Sequence, residues 1–350
     1  MAGEMPTGGI SVIVVNWNRR ALLEACLRSL EGQTRRPSEV IVVDNGSSDG
    51  SPEWLSAVTF PFLLRLIRNR ENRGFCAANN QGIAQAQGEF VALLNNDAEA
   101  EPAWLEALRE AFDFAPDIGM AASKVLVWED PRVIDKTGHL IWLDGQNRGR
   151  GSGELDQGQF EDVEEVLWPD GCAAMYRKSM LDEIGGFDED LFAYADDAEL
   201  GLRARIAGWR CLYMPHAVVR HHRGATLGRQ ATRRLVLIER NRVLLAAKLF
   251  PGSLLWKNPG YYLARLMAGV WAGLRGTGEA GQFPGLTGKI RLALALLRGD
   301  LQALAMLPRT WSKRSQIDRI RKLTPKEVET LLLRHQIPLR TLSERVAIPR

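Results

Sequence analysis

Apolar and polar residues alternate in blocks along the first 230 residues, and these blocks predict strands and helices in turn. Apolar, β-branched runs predict strands at residues 10–15, 40–43, 62–68 and 90–94. Residues 21–32 carry apolar side chains at helical spacing, residues 77–87 form a second predicted helix, and Pro52 sits where another helix can begin. This alternation predicts a parallel α/β sheet.

Polar clusters follow three of the predicted strands, at residues 16–18, 44–49 and 95–97. Parallel α/β sheets bind their ligands outside the carboxyl ends of the strands. We therefore expect these clusters to line a binding site.

The pattern changes twice further along the chain. Residues 130–170 are Gly-rich and acidic and predict a mobile loop or insert, which is either an acceptor lid or a surface excursion. Residues 231–330 predict basic helices at 235–250, 261–274 and 289–307. Two of these helices combine Leu, Met, Trp or Tyr with flanking Arg or Lys, so they either pack on a globular domain or bind a membrane interface.

Composition narrows the class of protein. The chain has 350 residues, 45% of them hydrophobic and 25% charged, which excludes disordered, collagen-like and disulfide-scaffold proteins. No C-x-x-C pair exists among the four widely spaced cysteines, so we expect packing roles in a reducing compartment for Cys26, Cys76, Cys172 and Cys211. Neither a secretory signal nor an uncharged run of about 18 to 20 residues is present, which makes a cytoplasmic location the default expectation.

Charge is distributed unevenly along the chain. Residues 231–350 hold 22 Lys and Arg against 7 Asp and Glu, a balance of +15, and the remainder holds 23 against 35, a balance of −12. The two parts either attract each other or present a basic surface to an anionic partner, such as lipid headgroups, a lipid-linked diphosphate or nucleic acid. No recognisable nucleic-acid module is present, so we do not expect nucleic-acid binding.

Two polar clusters are candidates for ligand chemistry. Asp44, before a Gly/Ser turn, either holds a nucleoside or simply forms the turn. Asp97 is placed to bind a hard divalent cation, for which one carboxylate is a poor site, and the pair at residues 221–222 is a second candidate. Neither G-x-G-x-x-G in the first strand-to-helix turn nor a P-loop motif occurs.

Asp196 and Asp197 open a predicted helix, with Glu199 close behind. These carboxylates either favour the helix dipole or supply a general base. Adjacent acids in a partly enclosed site couple, so that one of them becomes a better proton acceptor near neutral pH.

The order of these pieces resembles one family over residues 9–245. Six motifs carry the resemblance: SVIVVNWN, VIVVDNGSSDGS, NRGFCAANNQGI, FVALLNNDAE, WPDGCAAMYRKSMLDEIGGFDEDLFAYADDAELGLRARIAGWRCLYMP and VVRHHRGAT. They are similar to family 2 glycosyltransferases of the rhamnosyltransferase-like branch. The resemblance implies a GT-A fold in residues 1–240, which is an α/β, Rossmann-like, mostly parallel sheet flanked by helices. It leaves residues 241–350 as a basic α-helical C-terminal region.

The resemblance also implies residue roles. Asp197 takes the position of the catalytic base, with Asp196 beside it. Asp97 and His221 match the ligands of a divalent metal, Mg²⁺ or Mn²⁺. The donor site would comprise Asn16, Trp17, Asn18, Asp44, Asn72, Arg73, Gly74 and Asn96, and the acceptor loop Trp168, Asp170 and Gly171. Two departures from the family pattern are Asn95, in place of the first aspartate of the D-x-D metal motif, and Asp196, in place of a glutamate.

The implied activity is transfer of a sugar, rhamnose first, from a nucleoside-diphosphate sugar to a hydroxyl of a glycan or polyprenyl-diphosphate-linked acceptor. Inversion at the anomeric carbon and a role in cell-surface polysaccharide synthesis follow from the same resemblance. We expect a peripheral location on the inner face of the cell membrane, with the basic helices on an anionic surface. The alternatives are a nucleotidyltransferase that makes nucleotide sugars, and a noncatalytic sugar-nucleotide-binding assembly protein.

Overall fold

A computed structural model gives the structure of residues 8–222, 231–275, 283 and 285–343. Residues 1–7 and residues 223–226 of the motif VVRHHRGAT lie outside the described residues. The strands within these ranges are β1 (Ile10–Asn16), β2 (Glu39–Asp44), β3 (Leu63–Arg68), β4 (Phe90–Leu94), β5 (Ala98–Ala100), β6 (Ile118–Val127), β7 (Ile134–Lys136), β8 (His139–Ile141), β9 (Asn147–Gly149), β10 (Glu164–Val166), β11 (Ala173–Arg177) and β12 (Arg210–His221).

Helices follow the strands in the first part of the chain and occupy the C-terminal part alone. They are α1 (Arg20–Glu31), α2 (Ser51–Ala57), α3 (Phe75–Gln85), α4 (Trp104–Glu110), α5 (Lys178–Ile184), α6 (Asp196–Ile206), α7 (Ala231–Leu249), α8 (Gly252–Leu274), α9 (Gly285–Ser312), α10 (Arg314–Ile320), α11 (Pro325–Arg334) and α12 (Leu339–Ser343).

The main sheet has the order β10-β12-β6-β11-β4-β1-β2-β3, with β5 paired to β12 and β7 to β6. Strands β4, β1, β2 and β3 run parallel. Strand β11 lies antiparallel between β4 and β6, and β12 is again parallel to β6. The predicted α/β fold with a largely parallel sheet and a helical C-terminal region is confirmed.

Strand β1 is apolar because both of its faces are covered. Val12 and Val14 pack in one core with Leu23 and Leu27 of α1. Ile13, on the opposite face, packs in a second core with Cys76 of α3. Full burial of such an aliphatic side chain contributes about 1.5 to 3 kcal/mol, so the continuous apolar run reflects a central position in the sheet.

Some predicted elements need correction. Residues 130–170, predicted as a loop or insert, contain β7 to β10, which have three residues each and are too short to show a period of two. The predicted helix at 261–274 begins at residue 252 and contains Pro259, and that at 289–307 extends over 285–312. All four cysteines are buried and unpaired, as predicted.

The C-terminal helices continue from the sheet domain without a break at residue 240, because α7 spans that position. Lys248 of α7 binds Asp188 at 2.6 Å and Glu199 of α6 at 2.7 Å. Among the helices in the described parts of the chain, none has both the length and the apolar character needed to cross a bilayer.

Candidate active site

The carboxyl ends of β1, β2 and β4 bring together the first group of predicted donor residues. Asn16 and Asp44 are paired in register at the ends of neighbouring strands. Asn16 Nδ2 donates to Asp44 Oδ1 at 3.0 Å and to Ser47 Oγ at 3.1 Å. Asn96 Nδ2 donates to Asn16 Oδ1 at 2.8 Å. All three of these predicted donor residues are buried, so they lie beneath the surface of the site at this edge of the sheet.

Two loops beside these buried residues carry the other predicted donor residues. Trp17 and Asn18 are half-buried, and the backbone N–H of Asn18 donates to Ser47 Oγ at 2.7 Å. On the neighbouring loop, Asn72 Oδ1 accepts hydrogen bonds from Asn45 Nδ2 at 3.0 Å and from the N–H of Gly74 at 2.9 Å.

Asn45 holds the second loop in place. Its Oδ1 accepts from the N–H of Arg73 at 3.1 Å, and its Nδ2 donates to the carbonyl of Gly74 at 3.2 Å. The predicted donor residues at 16–18, 44, 72–74 and 96 are thus brought to one edge of the sheet. Asn45, part of the turn noted in the sequence, had no assigned site role.

Asp97 and His221 are also brought together, because β12 ends against β5 with His221 opposite Ala98. His221 Nε2 lies 3.4 Å from Asp97 Oδ1, and its Nδ1 lies 2.9 Å from Asp135 Oδ2. Asp97 is 3% exposed, and its Oδ1 accepts no hydrogen bond from any described residue. A buried carboxylate oxygen beside an imidazole that a second carboxylate orients fits a divalent cation.

The acid pair opens α6 after a segment with unusual backbone geometry. Asp197 Oδ1 accepts from the N–H of Ala198 at 2.7 Å, and Oδ2 accepts from that of Gly171 at 3.4 Å. Asp196 is 7% exposed. Burial and, second, the charge of Asp197 raise the pKa of Asp196 to about 8, so this carboxyl keeps its proton at neutral pH.

A cationic pair lies beside these acids. Asp170 Oδ2 accepts hydrogen bonds from the Lys136 ammonium and from His139 Nε2, the latter at 2.9 Å. His139 Nε2 is also 3.3 Å from Asp197 Oδ2. Burial alone would lower the pKa of His139, but Asp197 and Asp170 raise it to about 9. Burial would raise the pKa of Asp170, but Lys136 and His139 hold it well below its usual range.

Two groups of side chains are therefore candidates for the metal. In the first group, ligand atoms of His139, Asp170 and Asp197 lie within 4.8 Å of one another. Every carboxylate oxygen of this group already accepts a hydrogen bond or faces a cation. Each group has one buried atom without a hydrogen-bond partner among the described residues: Nδ1 of His139 in the first group, and Oδ1 of Asp97, which lies 3.4 Å from His221 Nε2, in the second. The assignment of Asp97 and His221 as the ligands stays a prediction.

The predicted acceptor residues fall in different surroundings. Gly171 lies against the acid pair, where a Cβ would stand 3.7 Å from Asp196 Oδ2. Trp168 is 0% exposed and packs on Gly201 of α6, where an added Cβ would be 2.2 Å from Trp168 Cβ. In this structure the indole packs against α6, and the assignment of Trp168 to the acceptor loop stays a prediction.

The loop before β11 connects the part of the site at Asp97 with the part at the acid pair. The carbonyl of Cys172 accepts from the N–H of Asn95 at 2.8 Å, and the N–H of Cys172 donates to Asp170 Oδ1 at 2.9 Å. Lys136 and His139 were missed by sequence reasoning, because they lie in short strands within residues that showed no pattern. The neighbouring Asp135 was missed for the same reason.

Comparison with known proteins decides the family. A model of glycosyl transferase family 2 matches residues 11–185, which is half of the chain. The chain belongs to glycosyl transferase family 2. Membership in this family makes the protein a glycosyltransferase.

Similarity to individual relatives extends beyond that segment. An N-acetylglucosaminyl-diphospho-decaprenol L-rhamnosyltransferase of Mycobacterium tuberculosis is 29% identical over 274 residues, covering 72% of this chain and 88% of the relative. A glucosyl-dolichyl phosphate glucuronosyltransferase of Haloferax volcanii is 27% identical over 226 residues, 61% of this chain and 68% of the relative.

A solved structure supports the fold. The structure of GalNAc-T7 with UDP, GalNAc and Mn²⁺ superimposes with a TM-score of 0.59 at 15% identity, covering 75% of this chain and 51% of that one. The fold of this family 2 glycosyltransferase is GT-A, as the sequence motifs predicted.

Proposed function

We propose that the protein transfers a sugar, with rhamnose as the first candidate, from a nucleoside-diphosphate sugar to a hydroxyl of a polyprenyl-diphosphate-linked glycan, with inversion, in cell-surface polysaccharide synthesis. The similarity to a rhamnosyltransferase over 88% of that relative supports the donor sugar and the lipid-linked acceptor. Deoxythymidine-diphosphate rhamnose is the first donor to test, and uridine- and guanosine-linked sugars come next.

The observation that carries the proposal is the position of Asp197, between the loop at Gly171 and the cation His139. In the proposed step, Asp197 takes the proton of the acceptor hydroxyl as that oxygen bonds to the anomeric carbon. The bond from this carbon to the diphosphate breaks, and its electron pair leaves with the nucleoside diphosphate. Asp196 keeps its own proton at neutral pH, so the pair does not place two negative charges side by side.

Asp97 and His221 would hold the divalent metal, Mg²⁺ or Mn²⁺. When bound, the metal neutralises charge on the diphosphate. Around it, Asn16 and Asp44 support the nucleoside side of the proposed donor site, while Asn72, Arg73 and Gly74 close the adjoining edge. Holding donor and acceptor in the reacting geometry lowers the activation barrier further.

The experiment is a transfer assay with Asp197→Asn and a control, Asp182→Asn, whose carboxylate is on the surface at 62% side-chain exposure. Donors are the deoxythymidine, uridine and guanosine diphosphate sugars, and the acceptor is a short polyprenyl-diphosphate N-acetylglucosamine. We expect Asp197→Asn to lower kcat by about 10² to 10⁴-fold. Nucleotide affinity should be unchanged in both variants.

Each part of the proposal has its own contradicting result. Unchanged turnover of Asp197→Asn removes this residue from the role of base. A product with the anomeric configuration of the donor, read by NMR, overturns inversion. Transfer to free N-acetylglucosamine that equals transfer to the lipid-linked form overturns the acceptor assignment.

We also propose that α8 and α9 rest on an anionic membrane surface at its cytoplasmic face. Each helix exposes a stripe of large apolar side chains at helical spacing: Leu263, Met267, Val270, Trp271 and Leu274 on α8, and Leu286, Ile290, Leu294, Leu297, Leu301 and Leu304 on α9. Trp256 is 88% exposed. Exposed apolar stripes beside basic residues are typical of interfacial helices.

Charge supports a lipid surface as the partner. Residues 231–350 carry the +15 balance, from 22 basic and 7 acidic residues. The guanidinium of Arg275 stacks on the ring of Trp271 at 4.5 Å, and that of Arg314 on the ring of Trp311 at 5.1 Å. Such pairs suit the boundary between headgroups and acyl chains.

Flotation with liposomes of neutral or anionic phospholipid tests this location. We compare the variant Trp256→Ser/Trp271→Ser/Leu294→Ser with the control Phe114→Ser, which removes a side chain of 62% exposure from another part of the surface. We expect binding to anionic liposomes that weakens with salt, is lost in the triple variant and survives in the control. Self-association of the protein through this face, with no flotation at low salt, would overturn the proposal.

A further inference from the structure

The backbone just before the acid pair adopts a strained conformation. Phe192, Tyr194 and Ala195 have φ angles of 65°, 69° and 54°, in the left-handed region that non-glycine residues rarely occupy. A segment with three such residues persists only where its surroundings hold it. The acids at the start of α6 follow directly, so whatever holds residues 191–195 also sets their position.

Two neighbouring side chains of α7 bind the backbone of this segment. Arg240 Nη2 donates to the carbonyls of Asp190 at 3.2 Å and Leu191 at 2.8 Å, and Asn241 binds three carbonyls. Asn241 is 0% exposed, and its Nδ2 lies at 3.0 Å from the carbonyl of Leu191, 2.9 Å from that of Ala193 and 2.7 Å from that of Tyr194. Arg240 Nε donates to Asn241 Oδ1 at 2.8 Å. This bond turns the amide so that its N–H groups face the three carbonyls.

The same segment reaches the donor edge. The carbonyl of Phe192 accepts from the N–H of Phe75 at 2.8 Å and from that of Cys76 at 3.2 Å, which are the first two residues of α3. A Cβ on Gly74 would stand 2.5 Å from the ring of Phe192. Residues 191–195 therefore contact the donor loop at one end and carry the acid pair at the other.

We propose that Asn241 is a positioning residue for glycosyl transfer: by binding three carbonyls of residues 191–194, it holds Asp197 in register with the donor edge. Asn241 touches neither substrate and acts through the backbone. The inference rests on the proposed function only in that Asp197 is the group being positioned. It gives α7, the first C-terminal helix, an indirect positioning role in the reaction of the sheet domain.

The test uses the full chain with Asn241→Leu, which keeps the approximate side-chain volume and removes both N–H donors. The control is Ser123→Ala, which removes the acceptor of a buried hydrogen bond of 2.9 Å from Trp104 Nε1. Trp104 lies in the core on the other face of the sheet, with Val12 and Val14. Both variants lose buried hydrogen bonding, so general destabilisation should affect them alike.

The readouts are hydrogen–deuterium exchange of residues 191–199 and steady-state kinetics. We expect faster exchange of this segment in Asn241→Leu alone, and a kcat about 10 to 100-fold lower with donor KM changed less than about threefold. Arg240→Met frees the amide of Asn241 and also removes the hydrogen bonds of Arg240 Nη2 to the carbonyls of Asp190 and Leu191, so it should shift both readouts in the same direction. If Asn241→Leu does not fold, Asn241→Asp takes its place, because it keeps the acceptor of the Arg240 bond and removes both N–H donors.

Unchanged hydrogen–deuterium exchange of residues 191–199 in the Asn241 or Arg240 variant overturns the inference. This measurement needs no acceptor. A kcat loss no larger than that of Ser123→Ala overturns the inference as well. Failure of the proposed function looks different: Asp197→Asn then keeps full turnover, while the exchange of residues 191–199 still depends on Asn241.

Discussion

Replacing Asp196 with asparagine should stabilise the protein at neutral pH. Asp196 is buried beside Asp197, and burial followed by the Asp197 charge raises its pKa to about 8. In the unfolded chain an aspartate ionises near pH 4. Between about pH 4 and pH 8, the folded protein therefore keeps a proton that the unfolded chain releases, and stability falls as the pH rises through this window.

The magnitude follows from the width of that window. Each pH unit corresponds to about 1.4 kcal/mol, so a window of about four units costs at most about 5 kcal/mol at its upper end. Asparagine does not ionise and has the shape of the protonated acid. Asp196→Asn should therefore leave stability unchanged near pH 4 and gain about 3 to 5 kcal/mol by about pH 8.

Urea unfolding of both proteins at several pH values measures this gain. The range from about pH 4.5 to 6.5 reports mainly on Asp196, because the contribution of His139 changes only above the ordinary histidine pKa near 6.5. The control is Asp182→Asn, which removes a carboxylate of 62% side-chain exposure. A difference between wild type and Asp196→Asn that stays constant with pH would refute the raised pKa. Greater loss of transfer in Asp196→Asn than in Asp197→Asn would exchange the proposed roles of the two acids.

Three further predictions follow from the same site. His139→Gln should destabilise the protein most below about pH 6.5 and little above about pH 9. The pKa of His139 is raised to about 9 in the folded protein, so stabilisation by its imidazolium is lost as the pH rises from about 6.5 to about 9. Equal urea midpoints of wild type and variant at low pH would contradict this prediction. Gly74 has φ +87°, and an added Cβ would stand 2.5 Å from the ring of Phe192, so Gly74→Ala should lower Tm and lower nucleotide affinity about tenfold. Gly269 lies in open space on α8, so Gly269→Ala should raise Tm. Asp97→Asn should abolish the rise in Tm that Mn²⁺ gives with nucleotide, and a persisting rise would favour the group at His139.

The local sequence pattern was sufficient to predict the strands and helices of the sheet domain and the residues at one edge of the candidate site. The apolar runs of β1, β2 and β4 report burial on both faces, which few other environments require. The polar residues that follow them lie at the carboxyl ends of neighbouring strands, so Asn16, Asp44 and Asn96 were certain to converge once the strands were parallel. The motifs around them identified the family before any contact was known.

Other parts of the site depend on long-range contacts that no local pattern encodes. Lys136 and His139 reach Asp170 from strands about 30 residues earlier in the chain, and those strands are too short to show a period. Trp168 matches a motif for the acceptor loop, yet the close packing of Gly201 buries it completely.

The sequence by itself determined the fold class, the family and the acids that carry the proposed chemistry, because hydrophobic period and motif order are properties of neighbouring residues. The tertiary structure decided the charge state of those acids and the conformation that presents them. Asp196 keeps its proton because folding buries its carboxyl beside the charge of the adjacent Asp197. The segment just before it, residues 191–194, is bound by Asn241, about 50 residues away in the chain. Burial and such distant contacts exist only after the helices pack on the sheet.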